Sequence, residues 1–285
     1  MSSPITYLFV PGNRPERFNK ALASGADRVI VDLEDAVAPA DKTTAQKAIS
    51  DWLPTLSLAD LTKVVVRIND ANSSWYASDL LWLNGLSLST VMLPKCESAL
   101  SVTQVASALK TPAQNSALNS ASQMRCIIAL IESAKGLAAL SQICAAPELE
   151  RIAFGSIDYA LDLDLPSGNH ASAALEYAAC AIAVASKAAG LAKPIAGVTA
   201  ALDTVQVASA MQHELGLGFG AKLCIHPMQI SAVHDVAKPS ATQIIWAQRV
   251  VAAWHEHGAA GAIQVDEEMV DKPVFLRAQK IIQSI

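Results

Sequence analysis

Residues 125–162 read RCIIALIESAKGLAALSQICAAPELERIAFGSIDYALD. Two short apolar runs, CIIALI and RIAF, flank a segment rich in alanine and leucine. Continuous apolar runs of this length suit strands buried on both faces. Residues 133–144 suit a helix between them. The first run ends directly in Glu132, and Asp158 follows shortly after Phe154. The stretch is a β-α-β unit with one acid at the C-terminal end of each strand, where parallel α/β folds bind ligands. Two carboxylates brought together there, with other oxygen ligands or water, suit a hard divalent cation such as Mg²⁺. The same residues also read as a solvated Glu in a helix's first turn and a solvated Asp in a loop.

Upstream the pattern repeats. Residues 5–10 form an apolar run, followed by PGNRPERF and a helix to about residue 24, with Pro15 in its first turn. Arg14, Arg17 and Lys20 cluster near that junction, as an anion site or as a solvated basic face. The run RVIVDL, within 27–33, leads straight into Asp32, Glu34 and Asp35. Acids so close repel one another without a counter-ion. A metal, its bound waters or nearby arginines would relieve them; a solvated acidic loop is the alternative. KVVVRI, 63–68, carries Arg67 after three valines, and a buried arginine needs a partner. It suits either the acids after the second strand or the substrate. A fourth strand, 89–93, ends in Pro94-Lys95. Helices are expected at 41–53, 75–83 and 97–109, and the polar segment 111–123 reads as a surface loop.

Downstream, 158–170 (DYALDLDLPSGNH) reads as irregular. An alanine-rich helix over 171–190, a weak strand at 194–198, a helix at 201–215 and a strand at 221–225 follow, the last ending in His226-Pro227. Eight strand candidates, nearly all followed by helices, predict a (β/α)₈ TIM barrel over 1–238. A doubly wound open sheet is the rival. On a barrel Arg14, the 32–35 acids, Arg67, Lys95, Glu132, Asp158 and His226 all fall at one mouth. Residues 239–285 read as a C-terminal helical extension: a helix at 240–257, the turn GAAGA, a short acidic link and a last amphipathic helix.

The 285 residues are 52% hydrophobic and 16% charged, with net charge −5. That predicts a large core and argues against nucleic acid or an anionic membrane surface as partner. No apolar stretch approaches the roughly 20 residues of a membrane span. The N-terminus lacks the basic region of a secretory signal. Cys96, Cys126, Cys144, Cys180 and Cys224 are scattered without a C-x-x-C, as in a reduced cytoplasmic protein with no structural zinc.

YLFVPGNRPERFNKALASGADRVIVDLEDAVAPADK, VVVRIN, VMLPK, IALIESAKG, FGSIDY and CIHPMQI together resemble the citrate lyase β-subunit-like group of the HpcH/HpaI aldolase superfamily. That group includes malyl-CoA and citramalyl-CoA lyases. The resemblance implies a (β/α)₈ barrel, Mg²⁺ held by Glu132 and Asp158, and Arg67 near the reacting carbonyl. It implies Asp32, Glu34 and Asp35 as partners of the metal's waters. It further implies a homotrimer or hexamer in which 239–285 packs on a neighbouring subunit. There Asp271, in a segment like the lyases' M-[IV]-D-x-P, serves as acid/base; it reads as a helix N-cap as well. Arg14, Arg17 and Lys20 are the candidates for CoA phosphates. Asp162 and Asp164 depart from the lyase pattern, as does Ala196, where many relatives carry Asp. The implied reaction is Mg²⁺-dependent cleavage or formation of a 3-hydroxyacyl thioester (citryl-, malyl- or citramalyl-CoA-like, or carrier-bound), with an oxo acid and an acyl thioester on the other side. A CoA-independent class II aldolase, for which His226 would be the base, and a non-catalytic oxo-acid or acyl-CoA binding protein are the alternatives.

Overall fold

The structure is a computed structural model describing residues 3–110, 126–166, 172–257 and 261–283. The polar loop expected at 111–123, the end of the 158–170 stretch and most of the GAAGA turn lie outside the described residues. Residues 3–234 form one compact unit, and the chain from Asp235 onward forms another.

In the first unit eight parallel strands close into a barrel in chain order. They are β1 (Thr6–Pro11), β2 (Arg28–Asp32), β3 (Val64–Arg67), β4 (Thr90–Leu93), β5 (Cys126–Ile131), β6 (Leu149–Phe154), β7 (Ile195–Ala196) and β8 (Ala221–Cys224). Leu8 opposite Cys224 closes the ring. The helices are α1 (Phe18–Leu22), α2 (Lys42–Trp52), α3 (Leu58–Leu61), α4 (Tyr76–Leu83), α5 (Ala99–Lys110), α6 (Ala134–Ala138), α7 (Leu140–Cys144), α8 (Ser156–Asp162), α9 (Ser172–Ala188), α10 (Thr204–Gly216) and α11 (Gln229–Ala237).

Every strand contributes to the core cluster, through residues such as Tyr7, Ile30, Val65, Met92, Leu130, Ala153, Ile195 and Leu223. Their sequence neighbours Val29, Val31, Val64, Val66 and Val91 are equally buried. Burial on both faces is why the strands read as unbroken apolar runs. Each large aliphatic side chain so buried contributes about 1.5–3 kcal/mol. Side chains on a strand alternate with period two. Two positions beyond Ile30, Val65 and Leu130 stand Asp32, Arg67 and Glu132. The alternation that fills the barrel therefore aims these three into its C-terminal mouth, and Asp32 is the register partner of Arg67.

Two expectations are corrected in this unit. The helix at 133–144 is two short helices, α6 and α7, and the stretch from 158 is not irregular throughout. It continues α8, which begins at Ser156 and carries Asp158 in its first turn. Among the described residues no helix is long and apolar enough to cross a membrane.

The second unit contains α12 (Ala241–His257), β9 (Ile263–Val265), β10 (Glu268–Val270) and α13 (Lys272–Gln283). Ala247, Val250, Val270 and Ala278 form its core, with Trp254 stacked on Phe275 at 5.0 Å. The expected acidic link is instead an antiparallel hairpin. Its two turn residues, Asp266 and Glu267, have φ of 49° and 68°. Such turns normally use Asn-Gly, so Asp-Glu gives no turn signal in the sequence.

Candidate active site

The acids after β2 are not a solvated loop. Asp32 is 1% exposed and Glu34 5%. Arg67 donates to both oxygens of Asp32, Nε to Oδ1 and Nη2 to Oδ2, each at 2.7 Å. The same carboxylate accepts from Glu34 N at 2.9 Å and Ala36 N at 3.0 Å, so its oxygens are fully engaged. Arg67 Nη1 lies 2.9 Å from Glu34 Oε2 and 3.6 Å from Asp35. The approach to Glu34 is an ion pair without hydrogen-bond geometry. Lys95 Nζ donates to Glu34 Oε1 at 2.7 Å. Burial raises the Glu34 pKa to about 7 even though Arg67 and Lys95 pull it down. Burial also works against the charge on Arg67, but the bond to Asp32 and the surrounding carboxylates outweigh it and raise its pKa.

Glu132, 4% exposed, follows β5. Its Oε2 accepts from Lys95 N at 2.8 Å, and Lys95 adopts φ 44° to offer that N–H. Gly155 passes so close that a Cβ there would stand 2.6 Å from Glu132 Oε1; only glycine fits. Burial first, then the charge of Glu34, raises the Glu132 pKa to about 8, with Asp158 adding to the rise. The nearby cations are already committed: Arg67 to Asp32 and Glu34, Lys95 to Glu34. A divalent cation would supply further positive charge here. The donors are hard carboxylate oxygens, which suit Mg²⁺ rather than zinc. Among the described residues no three His, Cys, Asp or Glu side chains converge as a metal cage. Glu132 and Asp158 would thus hold Mg²⁺ together with water or substrate oxygens, as that ion prefers.

These groups open onto a cavity of about 770 Å³ lined by Asp32, Asp35, Arg67, Glu132, Asp158 and His226 among others. Its floor is apolar, with Phe9, Leu130, Val198 and Leu223, and the Arg67 guanidinium lies 4.9 Å from the Phe9 ring centroid. Of the basic residues after β1, Arg17 and Lys20 line the cavity. Arg14 stands outside that lining, its guanidinium 3.9 Å from Glu16. Asp271 belongs to the second unit, where its Oδ1 accepts from Val274 N at 3.2 Å and caps α13.

A buried network under the acid loop escaped the sequence reading. Lys42 Nζ donates to Leu33 O, Glu34 O and Asn69 Oδ1 at 2.6–2.9 Å. Asn69 in turn donates to Asp79 through N and Nδ2, and Gln46 Nε2 donates to Asp79 Oδ1. Burial lowers the Lys42 pKa and raises that of Asp79. A signal existed: Lys42 heads the buried stripe Ala45, Ile49, Trp52, and Asp79 lies between buried Tyr76 and Leu83. A charge in line with a helix's apolar face marks a buried partner.

Residues 6–227 match the sequence profile of the HpcH/HpaI aldolase/citrate lyase family. The chain belongs to that family. Within it, the citrate lyase subunit beta-like protein of Mycobacterium tuberculosis is 34% identical over 281 residues, 97% of this chain and 94% of that protein. The citrate lyase subunit beta of Leuconostoc mesenteroides subsp. cremoris is 33% identical, over 98% and 92%. The crystal structure of protein CitE from Mycobacterium tuberculosis in complex with magnesium, acetoacetate and coenzyme A superimposes with a TM-score of 0.83. It is 33% identical and covers 99% of this chain and 98% of its own. The barrel and the family expected from the sequence are those found.

Proposed function

We propose that this protein is a Mg²⁺-dependent carbon–carbon lyase or synthase that acts on a 3-hydroxyacyl thioester of the citryl-, malyl- or citramalyl-CoA kind. The observation that carries the reading is the Glu132–Asp158 pair, short of positive charge, on a cavity of about 770 Å³. The relative solved with magnesium, acetoacetate and coenzyme A supports both the metal and the thioester. The volume exceeds what a small oxo acid needs and leaves room for a thioester arm.

Bound by Glu132 and Asp158, Mg²⁺ supplies a Lewis acid for the oxygens of the oxo acid. This chain's residues do the rest. Arg67, locked by Asp32 in a bidentate pair, presents a fixed positive charge beside the carbonyl oxygen that becomes the hydroxyl. Lys95 fixes Glu132 through its backbone N–H and Glu34 through Nζ. Lys42 holds the Leu33 and Glu34 carbonyls, so the acid loop keeps its shape when charge changes nearby. The apolar floor excludes water from the new carbon–carbon bond. Arg17 and Lys20, on the exposed α1 side, meet the phosphates of the thioester's carrier. Asp271 of a neighbouring subunit, in a homotrimer or hexamer assembled through 239–285, exchanges the proton at the acyl carbon. A carrier-protein thioester is the second reading, favoured by the likeness to a citrate lyase subunit beta.

Glu132→Gln and Asp158→Asn are expected to abolish Mg²⁺-dependent turnover of such thioesters while leaving the unfolding midpoint unchanged or higher. Full activity in both variants would refute the assignment.

A further inference from the structure

Gln229 is 2% exposed and engages its whole amide. Its Oε1 accepts from Ile225 N at 2.9 Å and from His226 N at 3.3 Å. Its Nε2 donates to Thr199 O at 2.9 Å and Ala201 O at 3.0 Å. One buried side chain thus ties the segment after β8 to the segment after β7 and fixes the backbone of His226. The ring is fixed as well, because His226 Nδ1 accepts from Met228 N at 3.2 Å. A ring nitrogen that accepts an N–H carries no proton, so the neutral imidazole holds its proton on Nε2. His226 lines the cavity with Glu132, Asp158 and Arg67.

The reaction develops negative charge on two oxygens. Arg67 and the metal pair serve the oxo acid's oxygen; the thioester's oxygen needs a separate donor. Arg67 is committed to three carboxylates. His226 lines the same cavity, and its ring N–H is held in one tautomer.

We infer that His226 is a catalytic hydrogen-bond donor to the thioester carbonyl oxygen; this rests on the lyase reading above. In the condensing direction a base removes a proton from the acyl carbon. The C–H electron pair becomes a carbon–carbon double bond, and the carbonyl π pair moves onto oxygen, where Nε2–H donates. The ring keeps its proton throughout. The enolate carbon then bonds to the oxo carbon while the oxo π pair moves onto its oxygen, the thioester carbonyl re-forms, and the new alkoxide takes a proton from solvent, which balances the one the base removed and later releases. A neutral imidazole in this role avoids a stable ion pair with the enolate and still lowers its energy. Gln229 is the positioning residue.

The test uses His226→Asn and His226→Gln. The Asn side-chain oxygen accepts the N–H two residues on, as in an Asx turn, so that variant keeps the Met228 bond and loses only Nε2–H. The Gln amide extends to where Nε2 stood. Exchange with D₂O of the hydrogens α to the thioester carbonyl, the methyl of acetyl-CoA and the methylene of propionyl-CoA, is followed by NMR, and Mg²⁺-dependent binding of pyruvate, glyoxylate and oxaloacetate by calorimetry. His226→Asn is expected to slow exchange and turnover about 10²-fold or more, the loss typical of one oxyanion donor. Oxo-acid affinity should stay within about threefold (about 0.65 kcal/mol at most, from RT ln 3), with the unfolding midpoint unchanged. His226→Gln should recover part of the rate. Wild-type rates in His226→Asn, or a rate loss matched by an equal loss of oxo-acid affinity, would overturn the inference. A wild-type protein inert toward both CoA thioesters would remove the CoA-thioester lyase reading, and this role with it.

Discussion

The β2–β5 side of the barrel mouth and its β6–β8 side are built from different materials. On the first, strands of four to six residues deliver Asp32, Arg67, Lys95 and Glu132 into one hydrogen-bonded cluster, mostly buried. On the second, β7 is two residues long and meets β6 at a single register pair. Its segments expose Ile157, Leu161, Leu202 and Met228, and the departures from the lyase pattern, Asp162, Asp164 and Ala196, all lie there. Charge handling needs fixed geometry and a low dielectric, which the first side has. Shape and partner selection tolerate variation, which the second side shows. The buried charge cluster thus belongs to the first side, whereas the second adds Asp158 and His226 to segments whose variable remainder suits substrate choice.

The sharpest way to break this contrast is Arg67→Leu. It leaves Asp32 and Glu34 buried without their main counter-charge, and removing one partner of a buried pair costs roughly 3–5 kcal/mol. Urea denaturation reads that loss directly. A loss below about 1 kcal/mol, the range of exposed pairs, would mean the cluster is not the rigid unit described.

An intermediate effect is expected from pH and metal. The Glu132 and Glu34 pKa values are raised from 4.5 to about 8 and about 7, so the metal-free fold holds these protons more tightly than the unfolded chain does. Their contribution to stability is full below about pH 4.5 and is lost as pH rises through 7 and 8. Mg²⁺ bound at Glu132, as proposed, would replace the protons as counter-charge. Its stabilising effect on the melting temperature should therefore grow from pH 6 to pH 9. An equal Mg²⁺ shift at both pH values would contradict the electrostatics assigned to Glu132.

The smallest effect belongs to the other side. Asp162 Oδ2 accepts from Ala134 N at 2.8 Å at the start of α6, on the exposed rim. Asp162→Ser should cost less than about 1 kcal/mol and change KM for the thioester without changing Mg²⁺ affinity. A change in Mg²⁺ affinity instead would merge the two sides into one.

The same division explains what the sequence made legible. Runs such as VVVR and CIIALI are buried on both faces, so they announce the strands, and the residue that ends each run announces the mouth. Glu132, Arg67 and the 32–35 acids are readable for that reason, and Asp158 for its place shortly after the run RIAF. The Lys42–Asn69–Asp79 network was not, because it joins α2, the segment after β3 and α4 through contacts that have no local period. The start of α8 was hidden by the Gly155 before it and the acids within it. The β9–β10 hairpin was hidden by a turn that uses Asp266 and Glu267 where glycine is usual. His226 was visible as a residue, but its tautomer came only from the Met228 N–H.

The most direct test is a calorimetric titration of the metal-free protein, first with Mg²⁺ and then with oxaloacetate, glyoxylate and pyruvate, each with and without acetyl-CoA. The expected result is Mg²⁺ binding, oxo-acid binding that requires Mg²⁺, and strengthening by acetyl-CoA. Absence of Mg²⁺ binding, or oxo-acid binding indifferent to the metal, would contradict it.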